Sequence, residues 1–120
     1  HLVLNNTMSS RTPVHSDKAP VPRPVYSQAI TVNGLVFCSG QIGKDRATGQ
    51  FVEGTVKDRT VSVFHRQTIK NLGYVLTEAG SSLNDVVEVD VFLTSQADFD
   101  PMNESYAEFF GDIKPARTLV

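Results

Sequence analysis

The stretch "KPARTLV" (Lys114–Val120) puts an arginine in what reads as the first half of a β-strand. Arg117 follows Ala116 and precedes Thr118, Leu119 and Val120. A guanidinium is always charged, and its planar fork meets a carboxylate with two parallel hydrogen bonds. At a strand edge with apolar neighbours it is poised for a small acid. From position alone the alternative is a structural ion pair with Glu88, Asp90 or Glu108, the usual fate of a half-buried arginine.

The stretch "CSGQ" (Cys38–Gln41) ends a strand pattern. Ser39 and Gly40 offer a hydroxyl and backbone N–H groups, which can hold an oxyanion or carboxylate. An ordinary strand-end turn uses the same residues. Cys38 as a nucleophile would need a histidine partner and a lowered pKa. Alternation puts it on the face opposite Ser39, as expected of a buried spacer. His1, His15 and His65 lack metal-ligand spacing, so no metal site is expected. The pairs Asp45/Glu53 and Glu88/Asp90 could serve acid–base chemistry, but such residues are more often charges on a solvated face.

Elements must bring these residues together. Asn33-Gly34 divides two apolar runs and signals a type I′ hairpin between Ala29–Val32 and Leu35–Ser39. A glycine-punctuated loop follows, with a short edge strand expected at Phe51-Val52. From Val56 to Ala79, Val61, Phe64, Thr68, Leu72, Val75, Leu76 and Ala79 recur at helical spacing, and Gly80 fits the position after the helix. In "VVEVDVFLT", Val87, Val89, Val91 and Leu93 alternate with Glu88 and Asp90, a strand with one apolar face. Asp100 and Pro101 read as N-cap and first residue of a second helix, which Gly111 ends. A last strand carries Arg117. The order β-β-(β)-α-β-α-β, with two helices on one face of a mixed sheet, is an α+β sandwich of ferredoxin-like type.

The chain has 120 residues, 40% of them hydrophobic and 20% charged, as expected of one domain with a modest core. Residues 1–18 are expected to form a disordered or extended N-terminal arm, and residues 19–120 the domain. Four of the six prolines, Pro13, Pro20, Pro22 and Pro24, precede residue 25. No apolar run approaches the roughly 20 residues that span a bilayer. "HLVLNNT" is too short for a signal's apolar region, so no leader is expected. A net charge of −2 argues against a broad nucleic-acid footprint. The lone cysteine cannot form an internal disulfide.

Six stretches together resemble one family. They are "YSQAI" (Tyr26–Ile30), "SGQIG" (Ser39–Gly43), "TGQFVEGTVKDRT" (Thr48–Thr60), "NLGYVLTEAGSSLNDVVEVDVFLT" (Asn71–Thr94), "ADFDPMNESYAEFFG" (Ala97–Gly111) and "KPART" (Lys114–Thr118). In order, and over roughly residues 19–120, they are similar to the RidA family, also called YjgF or L-PSP. The resemblance implies a chorismate-mutase-like α+β fold and a homotrimer with clefts between subunits. It implies hydrolysis of 2-iminopropanoate and 2-iminobutanoate to 2-oxo acids and ammonia, with no metal or cofactor. Matched by motif, Arg117 grips the substrate carboxylate, and Tyr26 comes from the neighbouring subunit. Ser39, Gly40 and Asn103 line the cleft, and Leu119 stands where many members place a cysteine whose backbone faces the ligand. The implied compartment is the cytoplasm or the mitochondrion.

Two departures carry weight. The family's chain runs beyond the Pro-Ala-Arg-Thr motif into a last strand bearing a glutamate proposed to orient water. The sequence holds no counterpart, so a C-terminally incomplete domain is expected. "VSVFH" (Val61–His65) also reads as inserted. Five extra residues turn a helix by about 500°, shifting Val56–Thr60 off their usual face unless the preceding loop absorbs them. Two other functions stay open: an endoribonuclease or translation inhibitor, and a non-catalytic small-acid-binding or chaperone-like trimer.

Overall fold

The computed structural model describes residues 10–52 and 57–120, with side chains from residue 63 onward in the second span. The strands are β1 (Thr12–Val14), β2 (Ala29–Val32), β3 (Leu35–Cys38), β4 (Glu88–Val91) and β5 (Ala116–Leu119), and the helices α1 (Lys57–Glu78) and α2 (Phe99–Phe109). Single 3-10 turns, Leu83–Asp85 and Gln96–Asp98, lead into β4 and α2. The fold is the expected α+β type, with both kinds of strand pairing. The pairing is divided between an antiparallel ladder β1-β2-β3 and a parallel ladder β4-β5.

The β2–β3 hairpin forms as its turn dictates. Asn33 and Gly34 have φ of 51° and 77°, the two positive values a type I′ turn requires. Its register pairs Ile30 with Phe37 and Val32 with Leu35. Strand β1 lies toward the N-terminus. Thr12–Val14 lie in the stretch expected to be an arm, and they are extended, but they pair with Ala29–Thr31. Gln28, 2% exposed, anchors the proline-rich segment after β1. Its Oε1 accepts from the Ser16 N–H at 2.6 Å, and its Nε2 donates to the carbonyls of Ser16 and Pro20. A prolyl segment can lie against a sheet this way because side-chain amides replace missing backbone partners.

The long helix is unbroken, so Val61–His65 are helical rather than absorbed in the loop. Phe64 packs so close to Gly43 that a Cβ there would sit 2.5 Å from the Phe64 ring. The helix closes with a Schellman motif. Gly80 has φ 83°, the Ser81 N–H reaches the Leu76 carbonyl at 2.8 Å, and the Gly80 N–H reaches Thr77 at 3.0 Å.

Two apolar clusters form the core. Val14, Ala19, Ala29 and Val75 pack with Val36, Cys38 and Tyr74. Met102, Tyr106 and Phe110 pack with Ile69, Leu83, Val89, Val91 and Leu93. The long helix contributes to both, and the helices cover one side of the strands.

Several boundaries differ from expectation. Val87 is 80% exposed, because β4 begins only at Glu88. The second helix starts at Phe99 rather than after Asp100. A 3-10 turn precedes it, with the Ser95 side chain accepting from the Ala97 N–H. Asp100 and Pro101 therefore lie inside the first turn, where a missing N–H is still harmless. Phe51 makes only an isolated bridge to Lys44. All four residues of β5 are exposed, so Arg117 is not at the mouth of a buried strand.

Candidate functional site

Register decides where Arg117 faces. In the parallel ladder Val89 pairs with Arg117 and Val91 with Leu119, so these four share a face. Val89 and Val91 pack against α2, and that face therefore looks toward the helix. Two helix residues receive the arginine. Its Nη1 donates to Oδ1 of Asn103 at 2.7 Å. Its Cζ lies 4.9 Å from the Tyr106 ring centroid, within cation–π range. Asn103 and Tyr106 are three apart in one helix, hence on one face.

Among the described residues no carboxylate pairs with Arg117. Glu108 is held by Arg66, whose Nε and Nη2 donate to its two oxygens at 2.9 and 2.7 Å. Glu88 and Asp90 alternate onto the opposite face of β4. The structural ion pair that position alone favours is thus not made with any of its three candidates. Leu119 lies two residues along, beside a groove of about 570 Å³ bounded also by Leu93, Phe99 and Val120. A second groove of about 390 Å³, against Lys70 and Tyr74 of α1, holds none of the residues singled out from the sequence.

Tyr26, Ser39 and Gly40 form another group. The Ser39 hydroxyl donates to the Ser27 carbonyl at 2.6 Å, and the Ser39 N–H donates to Gln28 at 2.9 Å. These bonds tie the Ser27–Gln28 segment that follows Tyr26 to the end of β3. They also commit both Ser39 donors, so Ser39 has its oxygen lone pairs left to offer. Tyr26 is half exposed, and a Cβ at Gly40 would meet nothing within 4 Å. Among the described residues, no hydrogen bond or ring contact joins this group to Arg117 and Asn103.

The remaining candidates lose their chemistry to structure. Cys38 packs into the first cluster, and burial pushes its thiol pKa up, the wrong direction for a nucleophile. His65 is half-buried, not solvated. Burial lowers its pKa, Asp98 partly offsets this, and Phe64 meets the ring edge-on. Asp45 accepts from the N–H groups of Ala47 and Thr48, capping its own turn. Glu53 and His1 lie outside the described residues. Among the described residues no group of three or more His, Cys, Asp or Glu could hold a metal.

Sequence reasoning missed one residue at the site, Tyr106. Its three-residue spacing from Asn103 was the available signal.

Comparison with known proteins fits this geometry. The family model described as endoribonuclease L-PSP matches residues 16–120. The mitochondrial protein mmf1 of Schizosaccharomyces pombe is 49% identical over 113 residues, covering 94% of this chain and 65% of that protein. The 2-iminobutanoate/2-iminopropanoate deaminase of Mus musculus is 38% identical over 107 residues, covering 89% of this chain and 76% of that one. The crystal structure of Escherichia coli TdcF with bound serine superposes with a TM-score of 0.82 at 28% identity, over 91% of this chain and 84% of that one. The chain belongs to the endoribonuclease L-PSP family, the RidA family that its motifs resemble.

Proposed function

We propose that the chain hydrolyses small 2-imino acids, 2-iminopropanoate and 2-iminobutanoate, to 2-oxo acids and ammonia. One observation carries this reading. Arg117 is an exposed cation, fixed by Asn103 and Tyr106, with no carboxylate partner among the described residues. A guanidinium so held is prepared for an acid from outside. The activity named for the mouse relative and the serine bound to TdcF support a small carboxylate of amino-acid type.

The reaction asks little of its catalyst. Water oxygen bonds to C2 of the imine, and the C=N π pair moves to nitrogen. One proton passes from the added water to nitrogen, giving a carbinolamine; the second passes from its hydroxyl to nitrogen as the C–N bond breaks, and ammonia leaves as the C2 carbonyl forms. The carbon is already electrophilic, so no metal or cofactor is invoked. Arg117 fixes the carboxylate and hence the plane of C2, which removes much of the entropic barrier. Asn103 holds the fork. The Tyr26 hydroxyl relays the proton, and the Ser39 oxygen and Gly40 backbone surround the nitrogen. Leu119 lines the pocket through its backbone.

Tyr26 and Arg117 meet across a boundary between copies in this proposal, and the assembly is a homotrimer. Exposed Leu35 and Phe37 support a partnered sheet face. No helix among the described residues is long and apolar enough to cross a membrane. The proposed compartment is the cytoplasm or, by similarity to mmf1, the mitochondrion.

An amino-acid oxidase supplies 2-iminopropanoate in situ, and semicarbazide traps what survives. The purified chain should suppress semicarbazone formation, and Arg117→Ala should not. Equal suppression by the variant, or none by the folded chain, rejects the reading. Binding of 2-oxo acids without turnover would instead mark a small-acid-binding protein built on the same arginine.

A further inference from the structure

We infer that Tyr106 is a positioning residue, whose ring face holds the Arg117 guanidinium so that its Nε–Nη2 edge stands open to the substrate carboxylate. The inference rests on the reading of Arg117 as the carboxylate anchor.

A guanidinium has two faces and limited edges. The Arg117 Cζ lies over the Tyr106 ring, 4.9 Å from its centroid. The Asn103 Oδ1 accepts a hydrogen bond from Nη1 at 2.7 Å. The Nε–Nη2 edge has no partner among the described residues. The same molecule shows what that edge does with a carboxylate. Arg66 meets both Glu108 oxygens through Nε and Nη2, at 2.9 and 2.7 Å. An acid docking on Arg117 in this manner lies in the guanidinium plane, and the contacts with Tyr106 and Asn103 restrain the guanidinium. Both restraints come from one turn of α2, so a rigid element presents the site.

Tyr106 is itself fixed. It is 9% exposed, and its ring lies 4.4 Å from the Phe110 ring, centroid to centroid. Its hydroxyl is buried with no hydrogen-bond partner among the described residues. Burial raises the hydroxyl pKa, and nearby Arg117 partly offsets this, so the phenol stays neutral. The ring, not the hydroxyl, is then what the arginine uses. A side chain already held loses less freedom when the ligand arrives, which favours binding rather than the chemical step.

The test measures KM and kcat for imine hydrolysis, with calorimetric affinity for 2-oxobutanoate, in Tyr106→Phe, Tyr106→Leu and Val75→Ala. Tyr106→Phe keeps the ring and should leave KM within about twofold of the parent. Tyr106→Leu should raise KM and weaken 2-oxobutanoate by about threefold to tenfold, with kcat within about twofold. Val75→Ala thins the other core cluster without touching Arg117 or Tyr106, and should lower Tm comparably while leaving KM unchanged. If Tyr106→Leu does not fold, Tyr106→Met takes its place. An unchanged KM in the ring-less variant, or an equal rise in Val75→Ala, overturns the inference. Loss of activity in Arg117→Ala alongside a parent-like Tyr106→Leu rejects only the role of Tyr106. Activity retained in Arg117→Ala removes the anchor and the inference with it.

Discussion

At the scale of single residues, Arg117 shows that geometry matters more than charge. Its surroundings hold a forked group: an aromatic ring centred 4.9 Å from its central carbon and an amide oxygen at one nitrogen. Lysine would keep the charge but lose the fork and the stacking. Arg117→Lys should therefore raise KM for imine hydrolysis by at least about tenfold, since charged hydrogen bonds contribute about 1.5–3 kcal/mol each. Steady-state kinetics on the folded variant checks this, and a lysine enzyme with the parent KM would mean that a point charge suffices. The chemistry of Arg117 was legible in "KPART" because guanidinium geometry belongs to the residue type. Its partners were not. Glu108 was a reasonable candidate by charge, yet a bond between α1 and α2 claims it. Similarly, the Ser39 hydroxyl reads as free until the chain folds and the Ser27 carbonyl accepts its hydrogen bond.

At the scale of elements, the bond between Arg66 and Glu108 pins the two helices together and gives a pH dependence of known sign. The hydrogen bond to Arg66 holds the Glu108 carboxyl below its ordinary pKa. A depressed carboxylate contributes stability above its unfolded pKa, and loses it as pH falls through the lower folded value. Glu108→Gln should lower Tm slightly at neutral pH, with the gap closing in acid below the folded pKa. The effect is small because both side chains are solvent-accessible. A gap constant across the titration would show that the pair contributes no electrostatic stability. Elements governed by a few adjacent residues were the readable ones. Asn33-Gly34 specifies its turn, and Gly80 specifies the end of α1, because only certain residues accept positive φ cheaply. Strand β1 could not be read this way. Thr12–Val14 carry a proline and no alternation, and their pairing depends on Gln28 far along the chain holding Ser16 and Pro20. The start of α2 eludes the sequence because Asp100-Pro101 is a good local signal, and Ser95 supplies an earlier turn that overrides it.

At the scale of the whole molecule, the two sides of the sheet differ. In the antiparallel ladder Val36 and Cys38 turn toward the helices and join the core. Alternation sends Leu35 and Phe37 the other way, and their register partners Val32 and Ile30 go with them. Phe37 is 59% exposed and Leu35 56%, so one copy leaves an apolar strip in water. Fully burying such a side chain contributes about 1.5–3 kcal/mol, and closed assembly of identical chains repeats that gain at every interface. The proposed trimer would also bring the Tyr26 group of one copy to the Arg117 group of another. Assembly and activity are then one property. Phe37→Glu puts a charge in the strip without touching either group of site residues. It should shift the chain to a monomer in sedimentation equilibrium and abolish imine hydrolysis, although Arg117, Asn103 and Tyr106 remain in place. A monomer with undiminished kcat/KM would put the complete site within one chain. A variant that still associates would show that the copies meet through another face.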